Sequence, residues 1–390
     1  GKSALAANTT GSLNTAIGTL ALDANTTASN NTAVGYTSLG ANTTGSENTA
    51  YGSYSSEANT TGASNTSIGY GALGANTTAS NNTAVGKSAL TANTTGAGNV
   101  AVGKDALIAN TTASNNVAIG LDAGTALTTG ASNVAIGTDA LKTATTISNQ
   151  VAIGYQALQQ NSTGDSNTAV GYLAMNVSTT GSANTAVGTS ALDANTTGAS
   201  NVAVGAGALG ANTTASNNTA VGKNALVANT TGTYNTAVGS GALKAATTAD
   251  GNTAVGTDSL DSTTTGANNT AVGYNTMEAN TTGGANVAMG RYSLAANTTA
   301  SNNTALGYHT LLANTTGTAN VAVGAYALDA ASTASNNTAV GYNALYANTT
   351  GTGLVAIGKS ALAANTTASY NVAVGVDSQV STTTGASNVS

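Results

Sequence analysis

Residues 353–360, GLVAIGKS, match letter for letter the pattern G-x-x-x-x-G-K-[ST] of a loop that cradles phosphate. That chemistry needs a strand before the first glycine, a flexible loop between the glycines and a helix after the lysine. Here the apolar run 354–357 lies between the glycines and another short β segment follows, so nucleotide binding is not expected. GYGALG (69–74) and GAGALG (205–210) fit G-x-G-x-x-G, yet neither sits in a βαβ unit. His309 is the single histidine, placed two residues after Gly307; alone it makes neither a triad nor a metal centre, and a solvated turn is expected. Asp23, Glu57, Asp193, Glu278 and Asp329 share one place in a repeat. They read as charges that keep the surface soluble and discourage lateral aggregation, with a weak cation site between neighbouring copies as the alternative. Lys87, Lys104, Lys142, Lys223, Lys244, Arg291 and Lys359 are scattered, which argues against a nucleic-acid partner. No catalytic, cofactor-binding or metal-ligating residue is assigned, and an enzyme is not expected.

The elements that hold these residues are set by a repeat. From Gly1 to Gly375 a glycine recurs every seventeen residues, in twenty-three copies, with no insertion or deletion. Numbering columns from that glycine, the repeat reads G-x-x-A-L-x-A-N-T-T-(G/A)-x-x-N-T-A-V. Column 15 is Thr or Val, column 16 is Ala with few exceptions, and column 17 is apolar, as in Ile17, Val34 and Tyr51. This alternation predicts a strand, with the Ala face against something too close for a larger side chain. Column 5 is Leu or Met except at Ser56, Gly124 and Gln379, and the segment ALxAN predicts a second short strand. An invariant glycine implies positive φ or the close approach of another chain. Asn8, Asn25 and Asn42, like Asn14, Asn31 and Asn48, suit turns, and stacked copies would form asparagine ladders. Period 3.6 is nowhere sustained, so a helical repeat is excluded.

The expected fold is therefore all-β, a parallel β-solenoid with seventeen-residue coils, about 23 of them. At the usual strand spacing of about 4.8 Å this is a rod of about 110 Å. The expected organisation is one uninterrupted array over residues 1–390, cut from a longer fibre. One Leu, one Val or Ile and one Val or Thr per coil make a thin core, which favours self-association as a homo-oligomer. Only 6% of residues are charged, net charge is −6, and Pro, Cys, Trp and Phe are absent. A disulfide scaffold and a thiolate metal site are thereby excluded, and the small net charge argues against disorder. No apolar run approaches the roughly 18 residues of a membrane-spanning helix.

The stretches NTAVGKSAL, NVAIGTDAL and NTAVGYNAL resemble the head repeat of trimeric autotransporter adhesins, the YadA-like family, and the likeness extends to every glycine from Gly18 to Gly375. The resemblance implies a left-handed β-roll, an obligate homotrimer and display on a bacterial surface. The coil here is longer than the usual head repeat, and NTTG or TTAS enlarges one of its turns. Phage tail fibres and other bacterial fibres carry similar repeats.

The function expected is a structural extracellular fibre or adhesin shaft, a stiff rod for surface attachment, with cell-surface or matrix ligands as partners. A phage tail-fibre shaft is the alternative, and an ice-binding solenoid using threonines such as Thr9, Thr10, Thr26 and Thr27 is a further one. Tyr36, Tyr155, Tyr274 and Tyr342 follow the glycine directly and read as surface turn aromatics, available to sugars or a neighbouring fibre. NTT matches the N-glycosylation sequon at Asn8, Asn25, Asn42 and later copies.

Overall fold

The computed structural model describes residues 1–390, a parallel β-solenoid with one seventeen-residue coil per repeat and no helix. Two compact units divide the chain, residues 1–197 and 198–390. The first carries three-residue strands from β1 (Thr15–Ile17) to β11 (Thr185–Val187), the second from β12 (Val202–Val204) to β22 (Val372–Val374). Within each unit every strand pairs in parallel with its neighbour in sequence and in unshifted register: Thr15 faces Thr32, Ala16 faces Ala33 and Ile17 faces Val34. The same column meets the same column at every step, which is why one inserted residue would move a coil's whole inward set to the other face.

The alternation predicted for the strand is present, with its large side chains on the unexpected side. Column 16 alanines such as Ala33, Ala84 and Ala220 are fully buried, while columns 15 and 17 face outward, with Ile17 60% and Met289 46% exposed. Expecting Val or Ile and Val or Thr in the core was therefore wrong. The interior holds column 4 Ala, column 5 Leu, the column 16 Ala and the two Asn columns, and that set fills the coil's width and leaves the column 15 and 17 side chains outside. Ala21, Leu22, Ala33, Leu39 and Ala50 form one such packed cluster.

The second expected strand, ALxAN, is replaced by a chain of tight turns. Columns 3 and 5 both have left-handed backbone, as at Leu20 (φ 58°) and Leu22 (φ 50°). A strand cannot form across two such residues, although Leu22 still donates its N–H to the Ser38 carbonyl of the next coil. Holding leucine in this conformation costs about 1–2 kcal/mol. Filling the core with the same side chain returns about as much or more.

The invariant glycine has the expected positive φ and also a close backbone neighbour. At Gly222 φ is 136°, and an added Cβ would strike the Gly239 carbonyl oxygen. The close neighbour is the next coil of its own chain, not a second chain.

Both asparagine columns form the expected ladders, and both are buried. In column 8, Asn42 Nδ2 donates to Asn25 Oδ1 at 3.1 Å and to the Gly45 carbonyl at 2.9 Å, closing the turn and linking the coils together. In column 14, the Asn48 backbone N–H donates to Asn31 Oδ1 at 2.9 Å, while Asn48 Nδ2 reaches the Gly62 carbonyl, also at 2.9 Å. Inside so thin a coil the carboxamides replace apolar side chains, and most are satisfied by a neighbouring coil.

Candidate binding surface

The column 1 glycine ends each strand, and the left-handed residue in column 3 then turns the chain so that columns 2 and 3 present side chains at one outer edge. In the second unit this edge is aromatic over five successive coils. Tyr274, Tyr308 and Tyr342 occupy column 2; Tyr292, His309 and Tyr326 occupy column 3; Tyr346 joins from column 6. Ring centroids follow one another at 5.7 Å (Tyr274–Tyr292), 5.5 Å (Tyr292–His309), 5.6 Å (His309–Tyr326) and 6.0 Å (Tyr326–Tyr342), all edge-to-face. Tyr308 stacks on His309 at 4.0 Å. Such spacings are those of favourable aromatic pairs. The column 2 rings stay accessible, Tyr342 being 50% exposed.

Two features bound this ledge. At one end the Arg291 guanidinium lies over Tyr292 at 4.9 Å and Tyr274 at 5.6 Å, a cation–π cap. At the other, Tyr326, Tyr342, Asn343 and Tyr346 line a surface notch of about 290 Å³. Burial, with Tyr308 close by, pushes the Tyr326 phenol above its ordinary value. Smaller groups occur in the first unit, with Tyr36–Tyr54 at 5.4 Å, Tyr54–Tyr70 at 5.5 Å and Tyr155–Tyr172 stacked at 5.4 Å.

His309 does not stand on a solvated turn as expected. Its side chain is 24% exposed among Tyr292, Tyr308 and Tyr326, with Nδ1 4.0 Å from Asp329 Oδ1. Neighbouring tyrosines one coil away supply the cover. Two of the column 6 acids, Asp193 and Asp329, are less solvated than their solubilising role suggested: burial raises the carboxyl pKa of each, and His309 opposes the shift only at Asp329. Asp23 and Glu57 flank a cavity of about 260 Å³ also lined by Leu20, Thr37, Gly40 and Ala41. No three His, Cys, Asp or Glu side chains converge to hold a metal ion. Lys142 is paired with Asp139 at 2.8 Å and Asp122 at 3.3 Å, and Lys244 lies 3.7 Å from Asp261.

In the phosphate-loop look-alike, β21 (Val355–Ile357) lies between the two glycines and Leu354 is buried, as the sequence led one to expect. The sequon asparagines Asn25 and Asn42 are fully buried with Nδ2 engaged in the ladder, so the nitrogen a glycan would need is out of reach. Of the two threonines, column 9 turns its hydroxyl to the next coil, Thr43 Oγ1 donating to the Thr60 carbonyl at 3.0 Å, and column 10 stays exposed in every copy.

Sequence reading named Tyr274 and Tyr342 and missed the ledge they belong to. The signal was there: Tyr274, Tyr292, Tyr308, Tyr326 and Tyr342 are separated alternately by 18 and 16 residues, the seventeen-residue period displaced by one in each direction. Comparison with protein-family models gives no match, and comparison with curated proteins finds no similar sequence.

Proposed function

We propose that the chain is a shaft segment of an extracellular structural fibre or adhesin, whose coils associate with further copies of themselves, three in the favoured arrangement. The observation that supports it is the outward sheet face. Columns 15 and 17 present two parallel ranks of Thr, Val and Ile along each unit, with Val204, Val238 and Val255 each 36% exposed and Ile357 41% exposed. A long, flat, apolar sheet face marks an interaction surface. The repeat varies freely at its turns and not in its length, which suits a spacer and not a reaction centre. The same mechanical reading covers a shaft on a virion. Ice binding has less support, because one exposed rank of threonine in column 10, with column 9 turned toward carbonyls, gives no paired rank.

Light scattering on residues 1–390 tests the association. A mass three times the 37.0 kDa chain is expected; a monodisperse single-chain mass would remove the proposal.

A further inference from the structure

The ledge from Tyr274 to Tyr346 has a chemistry distinct from that of the sheet face. Its rings do not form a closed apolar patch: phenol hydroxyls, the Asn343 carboxamide and the Asp329 carboxylate lie among them. Asp329 Oδ1 is buried and accepts no hydrogen bond. Column 2 rings recur at every second coil, at Tyr274, Tyr308 and Tyr342, with Ala325 and the Arg291 cap in the coils between. Two strand spacings put those rings about 9.6 Å apart.

Three classes of ligand use aromatic side chains in a row. Single-stranded nucleic acid stacks on them but requires a cationic track for its phosphates, and this ledge has one arginine, already covering rings. A folded protein partner needs roughly 800 Å² from each side, and a strip one turn wide falls short. An extended polysaccharide is itself narrow, offers apolar C–H faces at a regular interval, and carries hydroxyls for phenol and carboxamide. The interval between column 2 rings is close to one disaccharide step of an extended β-linked chain.

We infer that the Tyr308–Tyr326–Tyr342–Tyr346 ledge is a binding site for an extended, uncharged β-linked polysaccharide of the cellulose or chitin type. Sugar rings lie against Tyr308 and Tyr342, and the notch at Asn343 and Tyr346 takes a hydroxyl-bearing edge. Arg291 closes the track at Tyr274. The inference uses columns 2, 3 and 6 and stands whether or not chains associate through columns 15 and 17.

Titration calorimetry on the full 390-residue chain with cellohexaose and chitohexaose tests it, with maltohexaose as the curved, α-linked comparison. At least one β-linked hexasaccharide is expected to bind, and the Tyr308→Ala/Tyr342→Ala variant to weaken it about tenfold or more. Both side chains are substantially exposed, so the circular dichroism and melting of the variant should match the parent. If the variant melts early, the single variants Tyr308→Ala and Tyr342→Ala replace it, and unchanged affinity in both would overturn the assignment. Absence of binding by either β-linked probe, equal binding of maltohexaose, or unchanged affinity in the folded double variant would each overturn the assignment.

Discussion

A single carboxamide column shows how much one residue type does here. Most column 8 Asn residues donate to the oxygen of the Asn before them, as Asn59 does to Asn42, and a ladder stops where the next coil lacks Asn. Asn229 is followed by Ala246 and Asn314 by Ala331, and in both cases the Oδ1 of the last Asn is buried without a partner. An orphaned buried acceptor costs about 1–3 kcal/mol. Ala331→Asn would close the gap between Asn314 and Asn348, and should slow local hydrogen exchange around the Gly324 coil by an amount in that range. Asp193 makes a contrasting case. Burial raises its pKa, so the folded state holds the proton more tightly than the unfolded state does, and stability falls as pH rises through the interval from the ordinary value of about 3.9 to the raised one. Asp193→Asn removes that loss. The variant should melt above the parent at pH 7, with the difference vanishing below about pH 3 in thermal scans at each pH.

At the scale of the coil, the exceptions explain the rule. The Gly120 coil has Gly124 where leucine belongs and Leu127 where asparagine belongs, and Leu127 is fully buried. The core leucine has moved to the opposite turn, and Gly124, at φ 59°, sits without strain in the left-handed position that leucine elsewhere occupies. A Cβ at Gly124 would lie 3.1 Å from Leu107 Cδ2 and 3.2 Å from Leu127 Cδ1. Gly124→Leu alone should therefore overpack the coil by about 1–3 kcal/mol. Leu127→Asn alone should cost about 2–5 kcal/mol through the cavity it leaves. The pair together restores the common repeat, and a double-mutant cycle in denaturant should show coupling of at least about 1 kcal/mol. This coil also shows what could be read in advance. Period, parallel stacking, the role of glycine and the asparagine ladders all follow from columns, because each is a statement about one residue meeting its own copy. That the Ala face packs closely also follows from its small side chains, but that columns 15 and 17 lie outside does not, since only the width of the coil decides it. The turn at columns 3 to 5 was hidden for a related reason: leucine is a poor left-handed residue, and its burial overrides that preference. The ledge escaped because rings alternating between columns 2 and 3 belong to no single column.

Over each unit, the outward sheet face is the feature with the widest reach. If copies associate through it, charge placed there must separate them. Val204→Lys with Val255→Lys puts two ammonium groups on that face without touching the buried columns, and light scattering should report the single-chain mass while circular dichroism stays unchanged. A trimeric parent whose mass the substitution leaves unchanged would locate the association elsewhere. The column 8 ladder has a direction as well as a length. Along the run from Asn8 to Asn59 each Nδ2 after the first donates to the preceding coil and each accepting Oδ1 faces the following one. A finished coil therefore presents waiting acceptors to the coil that comes after it in the chain, and that coil arrives bearing the matching donors. A ribosome delivers the chain in that same order. The starting coil bears the entropic burden of nucleation, and every later one is laid down on a template already set, so growth is vectorial, like a crystal adding layers to a single face.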